Sequence, residues 1–287
     1  MKALAEYVMR GRVQALWVAV LTAGTLMFSW LSAAIIALVV LRKGMAEGAH
    51  ILMWAILPAG AILFMGEIGP LGMLLGTSVL AVVLRRTVSW SYTLLAAVAV
   101  GLLTGLLLMT LGAGYLATLA DIFQQFIEQF QQQLSEQGEQ VTIPVPSITQ
   151  IAGLLAMMNA ISSVLCLMLA RWWQSLLYNP DGFGEEFRAL RLAPPITLGL
   201  IVLGVAASSL GFEYRAWAMI FAIPTVFAAF ALLHWAANKR QMSGQWLFIA
   251  YVLWFFADLV KAGLVLLAVA DSWVDFRRCG DKRTDLK

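Results

Sequence analysis

Charged residues in this chain separate long apolar runs. Runs without Asp, Glu, Lys or Arg occupy residues 13–41, 48–66, 68–84, 87–120, 141–170, 192–212 and 216–238. An eighth apolar stretch, roughly 245–270, is interrupted by Asp258 and Lys261. About 20 helical residues cross a hydrocarbon core about 30 Å thick, and a helix satisfies its own backbone hydrogen bonds there. The pattern predicts an all-α, polytopic transmembrane helical bundle of about eight to ten membrane segments.

The composition supports a membrane protein and disfavours other classes. Of 287 residues, 61% are hydrophobic and 12% charged, which does not describe a soluble surface. The net charge of +3 is spread in twos and threes, so no basic stripe for nucleic acid is expected. Two cysteines and two histidines form no metal-binding or disulfide pattern, and we expect no cofactor. No nucleotide loop, zinc-protease, nucleophile-elbow or C-x-x-C motif occurs, so an enzyme is not expected.

The run at 13–41 is long for one crossing and short for two. If it crosses once, the basic residues divide evenly between the two sides of the membrane. A tight hairpin near Ser29 and Trp30 gathers most of them on one side, as the positive-inside rule requires. That side then holds Lys2, Arg10, Arg12, Arg42, Lys43, Arg85, Arg86, Arg171, Arg188, Arg191, Lys239 and Arg240. We favour the hairpin, which places the N-terminus in the cytoplasm.

The last apolar stretch leaves two alternatives open. A single span over 246–270 places Asp258 at its centre, where each charge costs about 2.5–3.5 kcal/mol and needs a partner or a wet cavity. If the stretch is instead a second hairpin that turns near Asp258, the two charges lie in a solvent-exposed turn. The C-terminal tail then returns to the inner side of the membrane. Lys261 follows Asp258 at i+3, on one helical face.

An external segment at 113–149 contains acids and glutamines but no Lys or Arg. Its apolar residues recur every three or four positions, which predicts an amphipathic helix ending near Gly138. This helix is either a lid over an external mouth or a solvated extension of the preceding span. Ser147 and Gln150 then form a capping-box signature for the next helix.

The inner loop at 176–195 predicts a short amphipathic helix before Pro194 and Pro195. Its Phe183 and Phe187, with Arg188 and Arg191 nearby, could seat it on the membrane or on a partner protein.

Four polar side chains are the candidate solute contacts. Asp258 and Lys261 are charges within a membrane stretch, and such charges are functional candidates by default. Glu67 lies beside Gly66 and Gly69 in a turn, and Asn159 lies on a polar face with Ser162, Ser163 and Cys166. Each also has a purely structural explanation. Asp258 and Lys261 could form a solvent-exposed ion pair, Glu67 could be a turn residue, and Asn159 could make a hydrogen bond between helices. Small-xxx-small pairs at 72/76, 101/105 and 204/208 predict close helix packing.

Several motifs resemble known membrane families. Leu41-Arg42-Lys43-Gly44 with Gly48, and the ladder Ala15, Ala19, Ala23, resemble the vitamin-binding S-components of energy-coupling-factor transporters. Tyr178 to Phe187 and Asp271 to Arg278 are similar to the YybS-like family of bacterial inner-membrane proteins, itself thought related to S-components. The resemblance implies a six-helix core with an external ligand pocket, and an Ala15, Ala19, Ala23 face for a membrane partner. The extra spans and the Gln-rich external segment depart from S-components, so vitamin binding is not carried over.

The organisation predicted from these features has four parts. Residues 1–175 form the S-component-like core with its external segment, 176–195 the cytoplasmic loop, 196–270 additional membrane segments, and 271–287 a polar tail. The leading hypothesis is a transporter-like protein of the bacterial inner membrane that binds or moves a small-molecule ligand in a pocket opening outward beneath the amphipathic helix. The alternative is a non-transporting scaffold for an envelope or division assembly, which recruits cytoplasmic proteins. An intramembrane enzyme is disfavoured because no nucleophile and base pair is visible.

Overall fold

The computed structural model describes residues 1–64, 66–136 and 143–278. Every regular element in these ranges is a helix. The α-helices are α1 (Lys2–Arg10), α2 (Arg12–Ala23), α3 (Ser29–Lys43), α4 (Met45–Phe64), α5 (Gly69–Thr87), α6 (Trp90–Leu111), α7 (Ala113–Glu136), α8 (Ile148–Tyr178), α9 (Gly182–Ala189), α10 (Pro194–Ser209), α11 (Arg215–Lys239), α12 (Gly244–Phe256) and α13 (Asp258–Val274). A 3-10 turn, Phe212–Tyr214, precedes α11. Residues 279–287 and the predicted helix end near Gly138 lie outside the described residues.

Five helices are long and apolar enough to cross a membrane: α4, α5, α6, α8 and α11 with its 3-10 turn. Two bent pairs, α9 with α10 and α12 with α13, raise the number to seven if each pair is one span. The predicted helical membrane bundle is therefore confirmed. The predicted count of eight to ten membrane segments exceeds these five to seven candidate spans, because it includes shorter segments, such as α2 and α3, that fall below this length.

Helix α3 forms the centre of the bundle. Every residue from Ser32 to Leu41 is buried, and α2, α4, α5 and α8 pack around it. A helix that is apolar on all sides is stable only when protein or lipid surrounds it completely. The packing of the surrounding helices therefore stabilises α3.

The first apolar run folds into the hairpin that the distribution of basic residues along the chain predicted. Residues 24–28 form the turn, slightly before Ser29 and Trp30. Ser32 Oγ donates to the Ala19 carbonyl at 2.8 Å, and these two positions lie almost symmetrically about the turn.

Cationic side chains collect at one end of the bundle, called here the basic end. Arg85, at the end of α5, donates to the Val40 carbonyl at the end of α3 (3.0 Å). Arg42 lies 4.0 Å from the Tyr178 ring at the end of α8. Ser91, at the start of α6, donates to the Arg191 carbonyl after α9 (2.9 Å). These contacts bring several of the predicted inner basic residues together.

The last apolar stretch is bent and is not one straight span. The helix breaks at Ala257, and α12 and α13 meet at 113°. Arg191 holds the far end of α13 by donating to the carbonyls of Asp271 (2.9 Å) and Ser272 (2.8 Å). The chain therefore returns to the basic end, and Asp258 lies at the turn, as in the hairpin alternative.

Candidate functional site

A cavity of about 220 Å³ lies between α5, α6 and α8, towards the end of the bundle opposite the basic end. Its lining residues come from these three helices, from the turn before α5 and from the first turn of α7. They are Glu67, Ile68, Gly69, Gly72, Met73, Thr104, Leu108, Tyr115, Leu155, Met158, Asn159 and Ser162. Two of the four predicted contacts, Glu67 and Asn159, therefore line one cavity.

Glycines let the three helices approach closely enough to position Asn159. A Cβ at Gly72 of α5 would lie 3.3 Å from Asn159 Oδ1, and one at Gly101 of α6 would lie 3.1 Å from the Ala160 Cβ. The predicted close packing at 72/76 and 101/105 is confirmed by these approaches. Asn159 is consequently held between α5 and α6.

A hydrogen-bond chain fixes the Asn159 amide. Its Nδ2 donates to Thr104 Oγ1 at 2.9 Å, and the Thr104 hydroxyl donates to the Val100 carbonyl at 2.8 Å. This arrangement leaves Asn159 Oδ1 on the side of Gly72, where it can accept a hydrogen bond from a solute. Asn159 therefore links α8 to α6 by a hydrogen bond and also presents a polar group to the cavity.

Glu67 and Tyr115 lie on different elements at the mouth of the cavity. Burial raises the pKa of the Tyr115 phenol, and the negative charge of Glu67 raises it further. Since the ordinary value is already 10.0, Tyr115 stays neutral at physiological pH. Glu67 is the one charged side chain among the lining residues, so the mouth favours a positive or neutral polar group over an anion.

The remaining predicted contacts lie elsewhere. Lys261 Nζ and Asp258 Oδ1 are 2.7 Å apart at the start of α13, which matches their i, i+3 spacing. The Asp258 side chain is 94% exposed, and neither residue lines the cavity. The pair therefore lies at the bend between α12 and α13, apart from the cavity that Glu67 and Asn159 line.

Residues of the predicted partner interface mostly pack inside this chain. Ala15, Ala19 and Ala23 are fully buried in the packing of α2 with α3 and α4. Phe183 packs on Trp90, with 6.0 Å between ring centroids, and Phe187 meets His234 edge-on at 5.4 Å.

The two arginines of that interface differ in their surroundings. Arg191 donates to carbonyls of α13 and also forms an ion pair with Asp275, with 3.0 Å between Nη1 and Oδ2. Arg188 is half-buried beside α11. The side chains predicted for the interface therefore contribute mainly to packing within the bundle.

Sequence reasoning missed Thr104 and Tyr115. Thr104 lies between Gly101 and Gly105. The spacing of these two glycines predicted that they face another helix, and this was the one signal that pointed to Thr104. Tyr115 was counted only as part of an amphipathic face. Helix α7 contacts the bundle mainly through its first turns, where Leu116 is fully buried, whereas Phe126 is 65% exposed. The first turn of α7 therefore borders the cavity, while the apolar face of its later turns is exposed.

Within the described ranges, no group of three or more His, Cys, Asp and Glu side chains is placed to hold a metal ion. Comparison of this chain with protein-family models, curated proteins and solved structures gives no match. The resemblance to the YybS-like family and to S-components therefore stays a prediction, and the geometry of the site is the basis for assigning a function.

Proposed function

We propose that this chain is a transporter-like protein of the bacterial inner membrane, not an enzyme, and that it binds a small solute in the cavity beside Asn159. The observation that carries the proposal is a cavity between three candidate spans whose wall is mainly apolar but includes the polar side chains of Asn159 and Thr104, with Glu67 at its mouth. Polar groups inside a membrane bundle are costly unless they serve packing or a ligand. The small volume suits a compact solute, and Glu67 favours one that carries a positive charge.

Two features support a cytoplasmic N-terminus and a larger number of membrane segments. With the first run folded as a hairpin, the basic residues gather at one end of the bundle, which the positive-inside rule assigns to the cytoplasm. We count α2 and α3 as a short hairpin within the membrane, which extends the five to seven candidate spans towards eight to ten. Helices α2 to α6 with α8 would form the S-component-like core, and α10 to α13 the additional segments.

The scaffold hypothesis has less support than solute binding. It relied on exposed aromatic side chains in the inner loop, but Phe183 and Phe187 pack against the bundle. Its other element, the tail beyond Arg278, lies outside the described residues.

The proposal is tested by the charge preference of thiol labelling inside the cavity. A single cysteine replaces Ser162 in a background with Cys166→Ala and Cys279→Ser, and it is reacted with two methanethiosulfonates of similar size. One carries trimethylammonium and the other sulfonate. We expect the cation to react about tenfold faster, and Glu67→Gln to remove most of this preference, because the carboxylate concentrates cations at the mouth.

Leu103→Cys is the matched control, since it lies on α6 one residue from Thr104 and is 56% exposed on the outside of the helix bundle. It should react slowly with both reagents if lipid covers it. Equal rates for both reagents at Ser162→Cys, or no reaction from either side of the membrane, would contradict a solute-accessible cavity and shift weight to the scaffold.

A further inference from the structure

The polar face of α8 continues past the cavity towards the middle of the bundle. Asn159 and Ser162 line the cavity, and Cys166 lies one turn beyond Ser162 on the same face. Cys166 is 4% exposed and lies near the middle of this 31-residue helix. On α5, Met73 is the lining residue furthest along the chain from Glu67. The two sulfur side chains therefore lie at the inner end of the cavity, Met73 on its wall and Cys166 behind it.

The sulfur atoms of Cys166 and Met73 are close enough to share one metal ion. The thiol donates to the thioether, with 3.7 Å between Cys166 Sγ and Met73 Sδ. Zinc–sulfur bonds measure about 2.3 Å and those of copper are similar, so two sulfurs bound to one ion lie at most about 4.6 Å apart. The observed separation is within this limit. Thiolate and thioether sulfurs are soft ligands, and they select Cu⁺ over hard cations such as Mg²⁺.

Thr77 supplies an independent indication of a ligand beside the thiol. It lies one turn after Met73 on α5 and faces the Cys166 sulfur. Thr77 is fully buried, yet its Oγ1 has no hydrogen-bond partner among the described residues. A buried hydroxyl in a helix commonly donates to the carbonyl four residues earlier, as Ser78 does to Leu74 at 2.7 Å. A thiolate at Cys166 would give the Thr77 hydroxyl a charged acceptor.

Exchange of the thiol proton for a monovalent cation leaves the charge of the site unchanged. The S–H bond of Cys166 breaks, the sulfur lone pair forms the bond to Cu⁺, and the proton leaves to water through the cavity. Copper stays in the Cu⁺ state, so no oxidant or reductant takes part. Burying an unpaired charge is costly, whereas Cu⁺ bound by a thiolate is neutral overall. A divalent ion would leave a positive charge, and the described ranges hold no cluster of His, Cys, Asp and Glu side chains to neutralise it.

We propose that Cys166 and Met73 bind Cu⁺ at the inner end of the cavity, with the Thr77 hydroxyl donating to the thiolate. This inference rests on the proposed function and names its solute as a soft monovalent metal ion. Such an ion is compact and positively charged, as the small volume and Glu67 at the mouth favour. Met158 presents a further thioether to the cavity.

The test measures Cu⁺ binding to the full chain in detergent, in the absence of oxygen. Cys279→Ser is present throughout, so that Cys166 is the one thiol in the chain. The protein competes for Cu⁺ with bathocuproine disulfonate, and the colour of the chelator's copper complex reports the fraction that the protein removes. We expect a single Cu⁺ per chain, which excess Mg²⁺ does not displace. X-ray absorption at the copper edge should show at least two sulfurs at about 2.3 Å.

Three substitutions and one control assign the binding to these side chains. Cys166→Ser and Met73→Leu each remove a ligand and should weaken binding strongly. Thr77→Val removes a hydroxyl that has no partner, so it should leave the Tm of the metal-free chain unchanged and weaken Cu⁺ binding about tenfold. Met168→Leu is the control, because Met168 lies on α8 but does not line the cavity. It should bind Cu⁺ as the parent chain does.

Absence of Cu⁺ binding, or binding that Cys166→Ser and Thr77→Val leave unchanged, would overturn the metal site. The cation preference of labelling at Ser162→Cys tests the proposed function separately, because its background carries Cys166→Ala and lacks the metal ligand. A cation preference without Cu⁺ binding refutes the metal site alone. Cu⁺ binding without a cation preference refutes entry of cations through the mouth, and loss of both refutes the solute cavity as well.

Discussion

At the scale of single residues, glycine decides how closely the helices around the cavity beside Asn159 can pack. A Cβ at Gly105 of α6 would lie 2.4 Å from a ring carbon of Trp217 and 3.0 Å from the Ala156 Cβ. Trp217 has little freedom to move, because its Nε1 donates to the Thr149 carbonyl at 2.9 Å. One added methyl group must therefore separate α6 from α8 and α11.

We expect Gly105→Ala to destabilise the protein by about 1–3 kcal/mol, the usual cost of overpacking a close contact. Thermal unfolding in detergent measures the change. Gly199→Ala is the control, since Gly199 is also inside a helix but an added Cβ meets no atom within 4 Å. It should change stability by less than about 1 kcal/mol. Equal losses in the two variants would contradict a cost set by the approach to Trp217, because the change from Gly to Ala by itself favours the helix.

The sequence predicted glycine packing here but not the polar residue that the packing exposes. The repeat at 101/105 was readable because small residues at i and i+4 face the same neighbour. Thr104 had no such pattern of its own. Its role depends on the rotation of α6 against α8, which brings its hydroxyl to 2.9 Å from Asn159. Such a rotation is decided by packing over the whole interface.

At the scale of helices, Arg191 joins the inner loop to the last helix. Its guanidinium donates to the carbonyls of Asp271 and Ser272 at the C-terminus of α13 and pairs with Asp275. A planar guanidinium reaches these three acceptors from three separate nitrogens, whereas the donors of an ammonium all radiate from a single nitrogen. The end of α13 therefore depends on arginine at this position.

We predict that Arg191→Lys loosens the end of α13 while the bundle remains folded. Hydrogen exchange of amides 271–278 should accelerate by tenfold or more, because at least one charge-assisted bond worth about 1.5–3 kcal/mol is lost. Arg188→Lys, on the same loop, should leave these amides unchanged. Unaltered exchange in the Arg191 variant would mean that apolar packing of α13 is sufficient to hold it.

The helical elements differ in how well the sequence predicted them. The capping box is confirmed, since Ser147 and Gln150 bond each other's backbone at 3.3 and 2.8 Å. The first hairpin was predictable from charge alone, because the positive-inside rule needs no packing information. The bend at Ala257 was not, since Asp258 and Lys261 fit a span and a turn equally well. Its angle follows from the attachment of α13 to Arg191 and from its packing against α11.

At the scale of the whole molecule, the two ends of the bundle have opposite character. The basic end holds a cavity of about 440 Å³ lined in part by Arg85, Arg171 and Arg191. The other end holds the cavity with Glu67 at its mouth together with the acidic, glutamine-rich helix α7. This polarity was readable from the sequence, whereas neither cavity was, because each is lined by residues from at least three separate elements.

We expect both termini of the described chain to face the cytoplasm and α7 to face outward. Single cysteines at Lys2, Arg278 and Glu128, each an exposed residue, test this in intact cells with a membrane-impermeant maleimide. Glu128→Cys should be labelled directly, and the other two only after permeabilisation. Labelling of Lys2→Cys or Arg278→Cys in intact cells would reverse the assignment for that terminus.

Helix α8 runs the whole way between these two ends. Its 31 residues extend about 46 Å, well beyond a hydrocarbon core of about 30 Å. Asn159 lines one cavity and Arg171 the other, 12 residues or about 18 Å apart along the same uninterrupted helix. Because a helix without Pro in its interior is stiff, a displacement of α8 at one end is carried along its length to the other end. The two faces of the membrane are therefore joined by a single rigid element that borders a cavity at each end.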